Sequence, residues 1–449
     1  MKTTCLTLLV LFPICLFCQN QKFELADIQF LEEFISPSPV DEGRFGSPEI
    51  EGNVVMVGEI QCNDYTGAVH VYNINPETDE LTYIQTLTAA DADTYKSFGS
   101  DISVYDTIAL IGAFQWEPNG ESDDMNCGAV YVFAFNQETE LWYQYSETLT
   151  ASPPIAGDMF GVGVEVIENT FYIGSMGNDD MANNAGCFQI YTYADNNLSL
   201  EETIYAPEEF RDTWDMFGCD FGIEDNILIT GAWQDNEIGE NADNSAGAAY
   251  IYQLIGENWE FQERLAAYDP KSNSCFGESV TLENGVAYIG AHWDSVGNNP
   301  NQGSVYVFEN DGSWTSKGKF TGNNSGPWDN FGVRMAANNN YLIIGAWTTD
   351  VGYYNNVSCY LYKLNFSTDD FLYSTPTGKL TAFPNPAKDI INIANAESID
   401  RIEIFDSDWK TVLKTNQVNQ IDISSLKAGL YLMKTISENE IIITKIIVE

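Results

Sequence analysis

Short apolar runs alternate with polar connections along most of this chain, and the runs repeat. "TIALIGA", "NILITGA" and "YLIIGA" are nearly continuous in apolar residues, the pattern of a strand covered on both faces. Each is preceded by a Phe-Gly pair: Phe45-Gly46, Phe98-Gly99, Phe160-Gly161, Phe217-Gly218, Phe276-Gly277 and Phe331-Gly332. Successive pairs lie 53, 62, 57, 59 and 55 residues apart. A second glycine ends each apolar run, at Gly58, Gly112, Gly174, Gly231, Gly290 and Gly345; its offset from the first is 12 once and 13 five times. A third segment then alternates more clearly, as in "GAVHVY", "GAVYVF" and "GSVYVF", and a polar fourth closes most units, as in "NWEFQERLAA". Four strands per unit predict a propeller blade. The fixed offset predicts one tight hairpin between the first two strands. The glycines allow close backbone approach between blades, and the phenylalanines fill the space between neighbours.

The stretch "QFLEEFISPSPVDEGRFG" has the character of a fourth segment without its first three, while the last unit has a weak fourth, "DDFLYST". The N-terminal strand is therefore expected to complete the last blade, which removes an exposed sheet edge. The fold class is all-β, with a six-bladed propeller, or seven blades if Ser36 to Glu42 holds another element. A small antiparallel β-sandwich follows.

Residues 44–364 resemble FG-GAP repeats, bacterial relatives of the integrin α-chain propeller. "DMFGVGVEVIENTFYIGS", "DNFGVRMAANNNYLIIGA" and "GAVYVF" carry the resemblance, and six copies stand in register. One departure is clear. Integrin-like repeats often hold a calcium loop of the Asp-x-Asp-x-Asp-Gly type between the first two strands. Here that connection is short, as in "SVYDTIAL" and "TLENGVAY", so no calcium site carries over to it.

Composition changes near Pro376. Residues 376–449 hold 8 basic and 10 acidic residues, a net of −2, against 11 and 56, a net of −45, in residues 1–375. Short strands follow a linker, among them "RIEIFD", "GLYLMKTI" and "IIITKIIVE". The segment resembles the C-terminal sorting domain of type IX secretion cargo of Bacteroidetes, through "FPNPAKDIINI", "IDISSLKAGLYLMK" and "ITKIIVE"; Trp409 stands where a glycine is usual. The start, "MKTTCLTLLVLFPICLFCQNQ", has the charged, apolar and small-residue order of a secretory signal and is too short for a membrane span. The expected order is a signal peptide at 1–18, the propeller at 19–370, a linker at 371–382 and the sorting domain at 383–449. The resemblance implies export to the outer-membrane surface or the medium, with the type IX secretion machinery as a partner.

The formal net charge of −47 repels nucleic acid and anionic membrane and concentrates cations. After the second glycine an acid recurs in every unit: Asp64, Glu117, Asp179, Asp235, Asp294 and Asp350. Asp158, Asp215 and Asp329 stand two residues ahead of Phe-Gly. Clustered carboxylates bind hard cations, which makes the six acids a candidate metal set with Ca2+ as the candidate ion, none being required. The competing explanation is turn chemistry, since Asp bonds its own backbone. Aromatics follow several second glycines: Phe114, Trp116, Trp233, Trp293 and Trp347. The four tryptophans are candidate sugar-stacking residues, or plugs between blades.

Six cysteines lie beyond the signal, Cys62, Cys127, Cys187, Cys219, Cys275 and Cys359, compatible with buried thiols or with one or two bridges. Neither histidine, His70 or His292, has a nucleophilic partner legible in sequence, and no catalytic residue can be named. The expected function is a surface or secreted module binding carbohydrate or protein. The alternatives are a polysaccharide hydrolase or lyase, which convergent acids with a raised pKa in a central pocket would favour, and a structural surface-layer component.

Overall fold

The computed structural model describes residues 23–40, 43–91, 96–118, 125–146, 148–194, 197–236, 245–256, 258–347, 358–365, 381–383, 388, 390–394, 401–405, 411–415, 420–424, 426–427, 429–436 and 441–448. The signal segment, Asp350 and most of the linker lie outside them. Two compact units are present, one spanning Phe23–Phe366 and the other holding the C-terminal strands.

The first unit is a ring of six four-stranded antiparallel sheets. Blade 4 shows the plan. Its strands are Phe217–Glu224, Ile227–Ala232, Ala248–Ile255 and Asn258–Leu265, hydrogen-bonded in that order. The second strand is buried almost throughout and the fourth only in part, as the fall in apolar character along each unit predicts. In blade 6 the first three strands are Met335–Ala337, Tyr341–Ala346 and Ser358–Leu364. The fourth is Ile28–Ile35, from the other end of the unit, paired from Ile28 opposite Leu364 to Ile35 opposite Ser358. Among the described residues the blades number six, and Ser36–Val40 forms no strand of a seventh.

The repeated glycines have a steric cause. A Cβ built on the second glycine of each blade would strike the carbonyl oxygen of the Phe-Gly glycine in the next: Gly58 on Gly99 at 1.9 Å, Gly112 on Gly161 at 2.1 Å, Gly174 on Gly218 at 2.0 Å, Gly231 on Gly277 at 1.7 Å and Gly290 on Gly332 at 2.0 Å. Gly345 meets Gly46 at 2.0 Å and closes the ring. Real Cβ atoms never sit so close, so only glycine lets the second strand and the next blade's first strand approach. Beside this seam the Phe of each pair is at most 1% exposed. It meets a third-strand ring edge-on: Phe98 with Tyr131 at 5.2 Å, Phe217 with Tyr250 at 5.3 Å, Phe276 with Tyr306 at 5.2 Å and Phe331 with Tyr360 at 5.2 Å. In blade 1 His70 takes the tyrosine's place, 5.8 Å from Phe45, with Nε2 2.8 Å from the buried Glu59 carboxylate. Phe backbone N–H groups bond across blades, Phe98 to Thr66 O and Phe276 to Ala246 O, both at 3.0 Å.

The second unit stacks two antiparallel sheets. One orders Thr381–Phe383, Ile390–Ala394 and Gln420–Asp422; the other orders Thr411–Thr415, Arg401–Phe405, Gly429–Ile436 and Ile441–Val448. Ile391 and Ile421 from the first meet Ile402, Ile404 and Met433 from the second in one apolar core. This is the small sandwich expected from the sequence.

Gly231→Ala should lose about 1–3 kcal/mol of stability, the ordinary cost of forcing volume into a packed interior. Gly326→Ala, where the nearest atom to a new Cβ is Asp329 Oδ2 at 3.8 Å, should change stability by less than about 0.5 kcal/mol. Denaturant unfolding of the two variants checks the difference.

Candidate functional site

The first strands of all six blades surround the axis and enclose a cavity of about 250 Å³. Acids interrupt these otherwise apolar strands. Glu49 accepts a hydrogen bond from Val104 N at 3.0 Å, Asp101 from Val164 N at 2.7 Å and Asp220 from Val280 N at 2.9 Å. Each therefore satisfies a buried N–H of the following blade, a donor that would be costly to leave unpaired. Glu165 accepts from Ser103 Oγ at 3.1 Å. Burial pushes the Glu49 carboxyl up to about 8 despite the Val104 hydrogen bond, with the Glu51 charge adding to the rise. Burial likewise raises Asp220 to about 6, against the opposing pull of Arg334, and raises Asp101 and Glu165 well above the usual carboxylate range. At the hairpin end, burial and the Glu224 charge raise Glu283 to about 7.

At the Phe-Gly end of the axis lies a second cavity of about 180 Å³. One repeat position builds much of its wall, the residue two after the second glycine: Ile60, Phe114, Met176, Trp233 and Trp347. His292 holds the same position in blade 5. Arg44 caps the Trp347 ring with its guanidinium carbon 4.9 Å from the centroid, a cation–π geometry. Arg334, 8% exposed, forms part of the lining; its Nη1 donates to Glu278 O at 3.0 Å and lies 3.8 Å from Glu278 Oε1. Burial pushes Glu278 up, but His292, Arg334 and Arg44 outweigh it and hold the carboxyl below its ordinary value. Arg334 Nε, Ser100 Oγ and Trp347 Nε1 are buried here without protein hydrogen-bond partners. The chain has five arginines, and two of them meet at this mouth.

The sequence-derived candidates are distributed differently. Trp233 and Trp347 line the mouth, and Trp293 stands edge-on to Trp233 at 6.4 Å, 40% exposed. Trp116 packs instead against the core between blades 1 and 2. Four of the loop acids, Glu117, Asp179, Asp235 and Asp294, are engaged within their own blades. Glu117 Oε1 accepts from Met125 N at 2.9 Å and Asp179 Oδ1 from Asn184 N at 2.7 Å. Asp235, fully buried, pairs with Arg264 and accepts from the Tyr250 hydroxyl. Asp294, fully buried, binds Lys271 at 2.5 Å, Lys319 at 2.6 Å and Ser304 Oγ at 2.7 Å. Asp64 falls in the one-turn helix Cys62–Tyr65, and its side chain, like Asp350, lies outside the described residues. Asp215 and Asp329 accept from Asp212 N and Gly326 N within their own loops. Among the described residues, the group of three His, Cys, Asp or Glu side chains close enough to share an ion is Cys275, Glu278 and His292. All six cysteines beyond the signal are buried free thiols. No helix among the described residues is long and apolar enough to cross a membrane.

The FG-GAP repeat family model matches residues 82–133 and 259–308. The model for the secretion system C-terminal sorting domain matches residues 381–449. No curated protein matches the chain. Among solved structures, a candidate 6-phosphogluconolactonase of Bacteroides uniformis aligns at 10% identity and TM-score 0.41, covering 69% of this chain and 79% of its own. A second of that description, from Bacteroides fragilis, aligns at 13% identity and TM-score 0.43, covering 69% and 78%.

A carboxyl whose folded pKa is raised binds its proton more tightly in the folded chain. Its contribution to stability is present below the unfolded pKa and is lost as pH rises through the folded one. For Glu49 the window runs from 4.5 to about 8. Stability of the wild-type chain should fall across it, by at most about 1.4 kcal/mol per pH unit for each such group. Glu49→Gln keeps an acceptor for Val104 and should flatten the fall. Denaturant unfolding at pH 5 and pH 8 measures both.

Proposed function

We propose, from the premise that this chain is an exported six-bladed FG-GAP repeat propeller with a type IX sorting domain, that its propeller is a carbohydrate-binding module whose site is the aromatic mouth of the axis. The sorting domain sends the chain to the cell surface or the extracellular space, where the ligand would be met. One observation carries the binding reading: two tryptophans, two arginines and several unpartnered donors converge on one cavity. An aromatic face stacks on the apolar face of a sugar ring, and orphaned N–H and O–H groups call for ligand oxygens. The cavity of about 180 Å³ suits one ring unit at the end of a chain. Arg44 in the wall favours a ring bearing a carboxylate, since a guanidinium matches that group with paired donors.

A second reading is favoured by the axial cavity. Glu49 and Glu165 face it with raised pKa values, as a general acid requires. Against it, Glu49 already accepts a hydrogen bond from the neighbouring blade. Turnover of a polysaccharide that disappears in Glu49→Gln and Glu165→Gln would establish this reading in place of the first.

The full chain should retain uronic-acid-containing glycans on an array. Trp347→Ala and Trp233→Ala should each weaken binding at least about tenfold, the scale of one lost stacking contact with its buried area. Arg44→Ala should erase the preference for acidic over neutral glycans and reduce the salt dependence of binding. Absence of any glycan binding, or binding unchanged in both tryptophan variants, would overturn the proposal.

A further inference from the structure

We infer that blade 5 carries a zinc site formed by Cys275, Glu278 and His292. The three come from one hairpin. Cys275 immediately precedes the first strand, Phe276–Glu283; Glu278 lies in that strand; and His292 follows the second, Val286–Ala291. Their ligand atoms all lie within 4.8 Å of one another. Tetrahedral zinc, with bonds of about 2.0–2.3 Å, holds neighbouring ligand atoms roughly 3.3–3.6 Å apart. Small side-chain adjustments on rigid elements therefore suffice.

Internal comparison between blades distinguishes this cluster from ordinary packing. The position before Phe-Gly is Arg44, Ser97, Met159, Met216 and Asn330 in the other blades. The position after the pair is Ser47, Ser100, Val162, Cys219 and Val333. The position two after the second glycine is Ile60, Phe114, Met176, Trp233 and Trp347. The ring closes with those residues five times, so the fold demands none of the three potential ligands. Blade 5 alone has exchanged all three positions for Cys, Glu and His together.

The environment agrees. His292 is 2% exposed, and its Nδ1 lies 2.8 Å from Glu278 Oε2. Both atoms, with Cys275 Sγ, already lie within the span of one ion's ligands. Cys275 is fully buried. A thiolate, a carboxylate and a neutral imidazole cancel the charge of a divalent ion, and the adjacent Arg334, 3.8 Å from Glu278 Oε1, also faces Asp220 and Asp101. The thiolate–imidazole–carboxylate set suits zinc better than calcium or magnesium, which take oxygen ligands. Three protein ligands leave a fourth position for water or for an oxygen of a molecule in the adjoining mouth, where Glu278 forms part of the wall. The site does not depend on which ligand fills that mouth.

The test is equilibrium dialysis of the full chain against zinc chloride, followed by metal analysis, with cobalt(II) as a spectroscopic probe. Wild-type chain should hold one zinc. Its cobalt form should show the thiolate-to-cobalt charge-transfer band of a cysteine ligand. Cys275→Ser copies blade 2 and His292→Trp copies blades 4 and 6, so both substitutions put into blade 5 residues the ring already accommodates. Each should lose the bound zinc, and Cys275→Ser the band; Cys359→Ser, at a buried thiol in blade 6, should keep both. A wild-type chain that binds no zinc, a cobalt form without the band, or zinc retained by both blade 5 variants would overturn the site.

Discussion

The propeller depends on a backbone approach that only glycine permits. At each seam the Cα of a second glycine faces the carbonyl oxygen of the next blade's Phe-Gly glycine, and an added Cβ would lie 1.7 to 2.1 Å from it. The offset of 12 or 13 residues between the two glycines follows from this contact: both must sit at the same height on a hairpin. The Phe beside the seam then has a fixed place under the third-strand ring, and its N–H reaches the preceding blade. Because Gly345 meets Gly46 in the same way, the seam also closes the ring, and Ile28–Ile35 covers what would be a free strand edge.

Close seams draw six first strands around a narrow axis, which creates a polar problem. Strand N–H groups that face the axis have no sheet neighbour, and Glu49, Asp101 and Asp220 answer that need from the adjoining blade. The acids are thereby taken from water, and their pKa values rise. Arg334 sits among Asp101, Asp220 and Glu278, so its charge is compensated inside the ring. The two ends of the axis differ in consequence. One is an acidic cavity; the other is an aromatic mouth bearing two of the chain's five arginines.

What the sequence made legible was the part governed by local period. Alternation and apolar runs identify the strands, and the repeat of Phe-Gly identifies the blades. The charge shift near Pro376 and the closing "ITKIIVE" identify the sorting domain. Sites were harder to see because they depend on register. The loop acids fall four to six residues after the second glycine, and Asp235 and Asp294 turn inward to Arg264 and Lys319. Trp116 and Trp293 follow their glycines by four and three residues, whereas Trp233 and Trp347 follow by two, and the latter pair lines the mouth. Strict alignment on that glycine was the signal that would also have found Ile60 and Met176. The axial acids gave less warning, since a single Glu or Asp in an apolar strand is legible only when six strands are superposed.

Hydrogen exchange of the full chain, with and without the glycan it binds best, tests the functional assignment most directly. The prediction is added protection in the segments around Ile60, Phe114, Trp233 and Trp347 at the Phe-Gly end, with the opposite hairpins around Gly52, Asp106, Asp225 and Asn284 unchanged. Protection confined to those hairpins would place binding at the acidic end of the axis and contradict the assignment of the mouth.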